Sequence, residues 1–248
     1  MSRWKAAAIH LSISLLLAAD IACLLYFVWF PEPWSAAAGA NTLILLLMGV
    51  DVCIGPLLTL LVVNPRKARR LLRLDLAVIC LLQAIAFGYG LHVVIEARPV
   101  FIVAEVDRLV MVSAEQLSDE DLAQGTRPEY RRRSYSGPLL VGAQPPTGKE
   151  ADAFGFQVLS TGKDIDRMPK YYLPYDQAIG SVMQLAKPLS TLKHATAPQR
   201  AELARLQAQN PSQQLVALPL ARGDHGYTVV MSVQTKRPVA VIAIDPWD

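Results

Sequence analysis

Apolar residues crowd into three runs within the first 97 positions of the chain. Residues 9–30 read IHLSISLLLAADIACLLYFVWF, residues 43–63 read LILLLMGVDVCIGPLLTLLVV, and residues 76–96 read LAVICLLQAIAFGYGLHVVIE. A helix needs about 20 mostly apolar residues to cross a bilayer, whereas a core helix of a soluble domain is usually shorter and keeps a polar stripe. These runs keep none, so they predict three transmembrane helices. After Arg98-Pro99 the pattern changes to short β-rich runs. VFIVAEV and LVMVSA, separated by Asp107-Arg108, predict a hairpin over 100–113.

The polar stretch 118–137 follows, with a short helix capped by Ser118 and an Arg131, Arg132, Arg133 cluster read as a solvated face. Helices are predicted around 148–160, around 175–186 and over 197–209. Thr196 and Gln199 form a capping-box pattern for the last, Leu203 and Leu206 supply its apolar face, and Asn210-Pro211 stops it. Strands at 215–221, 227–233 and 239–244 are joined by GDHG and QTKRP, which predicts an antiparallel meander extended by the earlier hairpin. The expected fold is therefore three transmembrane α-helices in residues 1–97 and an extracytoplasmic α+β domain in 98–248. In that domain, helices lie over one face of an antiparallel sheet.

Basic residues beside the spans set the orientation. Arg3 and Lys5 precede the first span, and Arg66, Lys67, Arg69, Arg70 and Arg73 lie between the second and third. The loop PEPWSAAAGANT between the first two carries no Lys or Arg. The N-terminus is expected inside, and three crossings then place residues 98–248 outside, in the periplasm of a Gram-negative cell. Trp29 and Trp34 fit the outer interface and Trp4 the inner one. A rival reading takes the first run as a signal peptide cleaved near Ala36–Ala40, which would return the large domain to the cytoplasm. Its apolar core is longer than a typical signal sequence, and Asp20 interrupts it.

Composition narrows the function. The chain is 52% hydrophobic and 18% charged, with 24 Lys+Arg against 21 Asp+Glu, so no charge excess draws it to nucleic acid. All three cysteines, Cys23, Cys53 and Cys80, fall inside the spans, leaving the outer domain without a disulfide framework or cysteine chemistry. Ser160-Thr161-Gly162-Lys163 and Ser190-Thr191-Leu192-Lys193 each fit S-x-x-K. The companion elements of penicillin-recognising enzymes are missing, and GFQVLSTGKD has the wrong glycine spacing for a P-loop. His194 and His225 have no evident metal partner. No enzyme activity, cofactor or metal is expected, and the outer domain reads as a recognition surface.

Ionisable residues in hydrocarbon are costly and mark partners or pathways. Asp20 lies about 15 Å below Phe30 and Asp51 about 12 Å below Leu43, at 1.5 Å per residue, so the two are expected to face one another. Gln83, Ser14, Thr59 or freed backbone are the expected hydrogen-bond partners. Downstream of Asp51, Gly55-Pro56 removes an amide and crowds the carbonyl of Val52, predicting a kink. Small pairs spaced by four, Ala18 with Ala22, Ala84 with Gly88 and Ala86 with Gly90, offer grooves for another helix. Asp75 is expected to pair with Arg73 or cap the third span.

The segments MSRWKAAAIHLSISL, GVDVCIGPLLTLLVVNPRK, RLDLAVICLLQ and RPVFIVAEVDRLVMVSAEQL together resemble the TfpX/TfpZ family of type IV pilin accessory proteins, over about the first 117 residues. The resemblance implies a multi-pass inner-membrane protein that assists the stability, assembly or surface display of a cognate type IV pilin, without enzyme activity. Its signature positions are Trp4, Lys5, Asp51, Gly55, Pro56, Leu57, Leu58, Thr59, Asn64, Pro65 and Asp75. The expected mechanism has two surfaces in one bilayer: the kinked second span and its grooves receive the pilin helix, and the outer domain meets the pilin head. The alternative is a membrane sensor or transport-associated subunit whose periplasmic domain binds a ligand.

Overall fold

The computed structural model describes residues 2–64 and 67–246, with the backbone alone for Val50. The signature position Pro65 and the basic Arg66 lie outside the described residues. Helix α1, Arg3–Leu24, starts where the Ser2 hydroxyl accepts the Lys5 amide and runs on as a π-helical turn, Leu25–Trp29. The second span is three pieces: α2 (Ala40–Gly49), a π-helical turn (Val50–Ile54) and α3 (Gly55–Val62). The third is α4, Arg69–Ala97. The segments Arg3–Trp29, Ala40–Val62 and Arg69–Ala97 are long and apolar enough to cross a membrane. Each begins before its apolar run does. In α4 the added turns hold Arg69, Arg70 and Arg73, and arginine is a good helix former.

Two compact units result. One comprises residues 1–28 and 39–96, and the other 29–38 and 97–248. In the first, α1 packs along α3 through a stripe that buries Ala6, Ser14 and Ala18, while α4 approaches its neighbours sparsely and buries only Ile79 and Val94. Leu16, Leu45 and Leu61 are strongly exposed, as side chains facing hydrocarbon are.

The second unit departs from expectation at once, because it includes the connection 29–38 between the first two spans. Phe30, Trp34, Ala37 and Ala38 are buried, and Arg222 donates to the Ala37 carbonyl at 2.8 Å. Trp34 is thus a core residue rather than an interfacial ring. The connection is apolar and small enough to serve as packing, so it and residues 97–248 share one side of any membrane.

The sheet is mixed, not antiparallel. Its strands are β1 (Pro99–Glu105), β2 (Arg108–Ser113), β3 (Leu139–Ala143), β4 (Tyr172–Pro174), β5 (Lys187–Pro188), β6 (Leu215–Arg222), β7 (His225–Ser232) and β8 (Pro238–Ile242). They run in the order β4-β3-β1-β2-β6-β7-β8, with β5 beside β6. The expected hairpin β1–β2 and meander β6–β7–β8 are antiparallel, but β1 pairs with β3, and β2 with β6, in parallel. Tight turns make only antiparallel neighbours. Parallel pairs need crossovers of a dozen or more residues, and the segments after β2 supply them through α5 (Asp119–Ala123), α6 (Lys149–Thr161), α7 (Tyr175–Met183) and α8 (Ala197–Gln209). β4 and β5 are too short to have stood out as strands; β3 is as long as β8 but has no tight turn joining it to a neighbouring strand.

Helices cover both faces rather than one. Phe101, Val103, Val110 and Val141 share a face and a core with Leu122 of α5 and Tyr130; by register, Leu215 and Ala217 lie on that same face and pack with Leu203 and Leu206 of α8. Helix α7 lies against the opposite face, where a Cβ on Gly142 would come within 2.4 Å of Ala178 Cβ and 3.0 Å of Leu173 Cδ1. The Ala178 Cβ is fixed to its backbone and cannot turn aside, so Gly142→Ala is expected to destabilise the domain by about 2 kcal/mol, read from its denaturation midpoint. An unchanged midpoint would mean that α7 can slide away. The Thr196–Gln199 capping box of α8 forms as expected.

Candidate functional site

The π-helical turn in the second span follows from its sequence. In an α-helix the missing Pro56 amide would orphan the carbonyl of Val52. In the i→i+5 pattern of Val50–Ile54 it orphans that of Asp51 instead. The Gln83 side-chain amide of α4 donates to this carbonyl at 3.4 Å. Gly55 makes room for it, since a Cβ there would sit 2.1 Å from Gln83 Nε2. The proline effect thus moves one residue upstream of the expected position, and α4 supplies the missing donor.

Asp51 lies at the middle of Ala40–Val62, and its Oδ1 is buried without a hydrogen-bond partner among the described residues. Two apolar clefts meet at Leu47, Asp51 and Phe87. The larger, about 330 Å³, runs past His10, Ser14, Ala18, Gln83 and Ala84; the smaller, about 270 Å³, past Leu43, Ala86, Tyr89 and Gly90. The Nδ1 of His10 and the hydroxyl of Thr59 are hydrogen-bonded at 2.6 Å.

Several candidates gather here and others do not. Asp51, Gly55, Gln83 and Ser14 surround the kink, with Pro56 and Thr59 buried one turn on. Asp20 is not brought to Asp51. It is exposed, because the buried stripe of α1 runs through Ser14, Ala18 and Leu25, and two residues past Ala18 is about 200° around the helix. Among the small residues, Ala18 and Ala84 line the larger cleft and Ala86 and Gly90 the smaller; Gly88 faces open space. Trp4, Lys5, Leu57 and Asn64 are exposed and Leu58 half-buried. Asp75 pairs with Lys67 at 2.8 Å rather than with Arg73, since α4 begins six residues before it and leaves it no role as a cap. His10 escaped the sequence reading, though an imidazole in an apolar run carries the same signal as an aspartate.

In the sheet unit, two polar arrangements stand out. Arg98 is almost fully buried, donates from Nε to the Ser134 carbonyl at 3.2 Å, and stacks its guanidinium 4.3 Å from the Tyr135 ring and 5.9 Å from that of Trp29. At the end of β1, burial and the nearby charges of Asp166 and Asp164 push the Glu105 carboxyl up to about 8, against a weak attraction from Arg108 at 3.9 Å. In the arginine cluster, Arg131 and Arg132 are exposed, as expected of a solvated face, while Arg131 also donates to the Gly125 carbonyl and half-buried Arg133 to those of Ala114 and Leu117 and to Asp119. Lys163, from one S-x-x-K match, is paired with Asp121 at 2.6 Å. Among the described residues no cluster of His, Cys, Asp or Glu is placed to hold a metal.

Comparison with known proteins adds the family. The model of the fimbrial assembly protein FimB family matches residues 1–39, which hold α1 and the connection built into the sheet unit. The fimbrial assembly protein of serogroup I of Dichelobacter nodosus is 34% identical over 186 residues, 75% of this chain and 72% of its own length. That of serogroup E1 is 33% identical over the same shares. The protein of serogroups C1 and C2 is 38% identical over 120 residues, 48% of this chain and 92% of its own length. No solved structure matches the chain. Similarity at this level, over three quarters of the chain and 72% of these relatives, means that the chain belongs to the fimbrial assembly protein family.

Proposed function

We propose that the protein is a non-enzymatic, chaperone-like accessory of the bacterial inner membrane that assists the stability, assembly or surface display of a type IV pilin, with its sheet domain in the periplasm. The observation that carries this reading is the division of the chain. An apolar helical unit holds open clefts beside a kinked span, and a separate sheet unit takes in the connection between the first two spans. A client with one membrane helix and a globular head offers a surface to each. The absence of Lys and Arg from 29–38, a segment that shares a side with residues 97–248, supports the periplasmic placement. Relatives named for fimbrial assembly support the client class.

The reading is tested by in-cell photo-crosslinking from Ile13, which lines the larger cleft, and from Val239 on the edge strand β8. Pilin adducts are expected at both, from the pilin helix at Ile13 and its head at Val239. Pilin adducts at neither position would defeat the proposal. External protease on spheroplasts should degrade a C-terminal tag; protection of that tag would reverse the orientation.

A further inference from the structure

We infer that the cleft around Asp51 selects its client by a hydrogen-bond donor: the occupant is an apolar transmembrane helix carrying an N–H or O–H group at the depth of Asp51. The inference rests on the reading above that the bundle receives a client helix, and it adds the chemistry by which that helix is told from others.

Three observations converge on it. First, α4 meets the second span at the kink through Gln83 but buries only Ile79 and Val94, so clefts of about 330 and 270 Å³ stay open beside Asp51. Second, both clefts are apolar and meet at one acidic group, and no Lys or Arg lines either. Third, two polar neighbours of the kink are already engaged within the bundle. His10 bonds Thr59, and Gln83 serves the carbonyl left over by Pro56. The Asp51 carboxyl keeps an oxygen with no donor among the described residues.

An unmet acceptor in hydrocarbon is costly, and lipid tails cannot relieve it because they carry no donor. A helix with a hydroxyl, amide or ammonium group at that level can. A helix without one leaves the carboxyl as it found it and gains only dispersion contacts, which any apolar helix makes. The discrimination comes from the pairing, in the way that a site built to bond a polar group rejects the analogue lacking it. Ala18, Ala84 and Ala86 on the cleft walls permit the close backbone approach that brings such a donor within reach.

The test uses the full chain in its own membranes, with a photo-crosslinker at Ile13 and an epitope-tagged type IV pilin as the probe. Adducts to the pilin helix are expected to fall about three- to tenfold in Asp51→Leu, the range of inter-helix hydrogen bonds in membranes. Asp51→Asn, which keeps an acceptor, should stay within about twofold; an equal loss in both variants would narrow the donor to a cation. Unchanged adducts in Asp51→Leu overturn the inference and leave the client reading standing; no pilin adduct at Ile13 in the wild type overturns the inference, and the client reading falls with it only when Val239 gives none either. If the leucine variant does not accumulate, the comparison moves to the client. Alanine in place of the polar pilin residue nearest the adduct must lower the yield by the same factor, and an undiminished yield overturns the inference.

Discussion

Replacing Glu105 by glutamine is expected to flatten the pH dependence of stability of the sheet unit between pH 5 and 9. In the folded protein this carboxyl titrates near 8, against an ordinary value of 4.5, because it is buried beside Asp166 and Asp164 with only Arg108 in partial opposition. Its Oε2 is buried without a partner among the described residues. The folded state therefore holds the proton to higher pH than the unfolded chain does. Stability from this group is complete below about pH 4.5, erodes as pH rises through the interval up to about 8, and levels off above it. A shift of this size corresponds to about 3–5 kcal/mol across the interval. Asp166, also raised by burial, adds a slope of the same sign. Asp121 has the opposite sign, being held below its ordinary value by Lys163 and Ser118, and weakens the fold only on acidification. Thermal melts of the full chain in detergent should show the wild type losing roughly 10 °C from pH 5 to 9, with Glu105→Gln losing much less. An equal decline in the variant would show that Glu105 ionises without cost, through a rearrangement of the β1–β2 turn.

Arg98→Ala is expected to cost about 3 kcal/mol, from the cavity left by a large buried side chain and the buried carbonyl left without its donor. Nothing nearby replaces the guanidinium. Its removal leaves the Ser134 carbonyl without its donor and opens a cavity between Tyr135 and Trp29. The Arg98 carbonyl accepts the Ala114 amide, so the backbone at this position already closes the start of the sheet. Arg98→Met, which keeps the aliphatic stem, should recover about half of the loss, because part of an arginine's contribution is packing. Chemical denaturation followed by tryptophan fluorescence measures both variants. A loss under about 1 kcal/mol for alanine would mean that solvent reaches this site.

Which parts of the fold could be read in advance depends on the range of the interactions that make them. The three spans, the Ser118 and Thr196 helix starts, the β1–β2 hairpin and the β6–β7–β8 meander are all written in residues a few positions apart. Capping boxes, tight turns and long apolar runs need no knowledge of distant chain. The candidate site was legible to the same extent: Asp51, Gly55, Pro56 and Gln83 stood out because polar or helix-breaking residues are conspicuous in an apolar run. Asp20 stood out for the same reason, yet it points away from Asp51. Depth along a helix can be counted from sequence, but rotation about its axis is set by which stripe the neighbouring helix covers.

Composition and hydropathy by themselves determined that three segments of the first 97 residues are long and apolar enough to cross a membrane, the asymmetry of charge between their connections, and the longer elements of the domain that follows. Tertiary structure alone decided that β1 and β2 recruit β3 and β6 in parallel, that helices cover both sheet faces, and that residues 29–38 are core rather than loop. It alone decided that a π-helical turn transfers the orphaned carbonyl from Val52 to Asp51, within reach of Gln83. Each of these joins segments dozens of residues apart. Such pairings are selected by the burial available once the whole chain has collapsed, and no local pattern of apolar and polar positions records that.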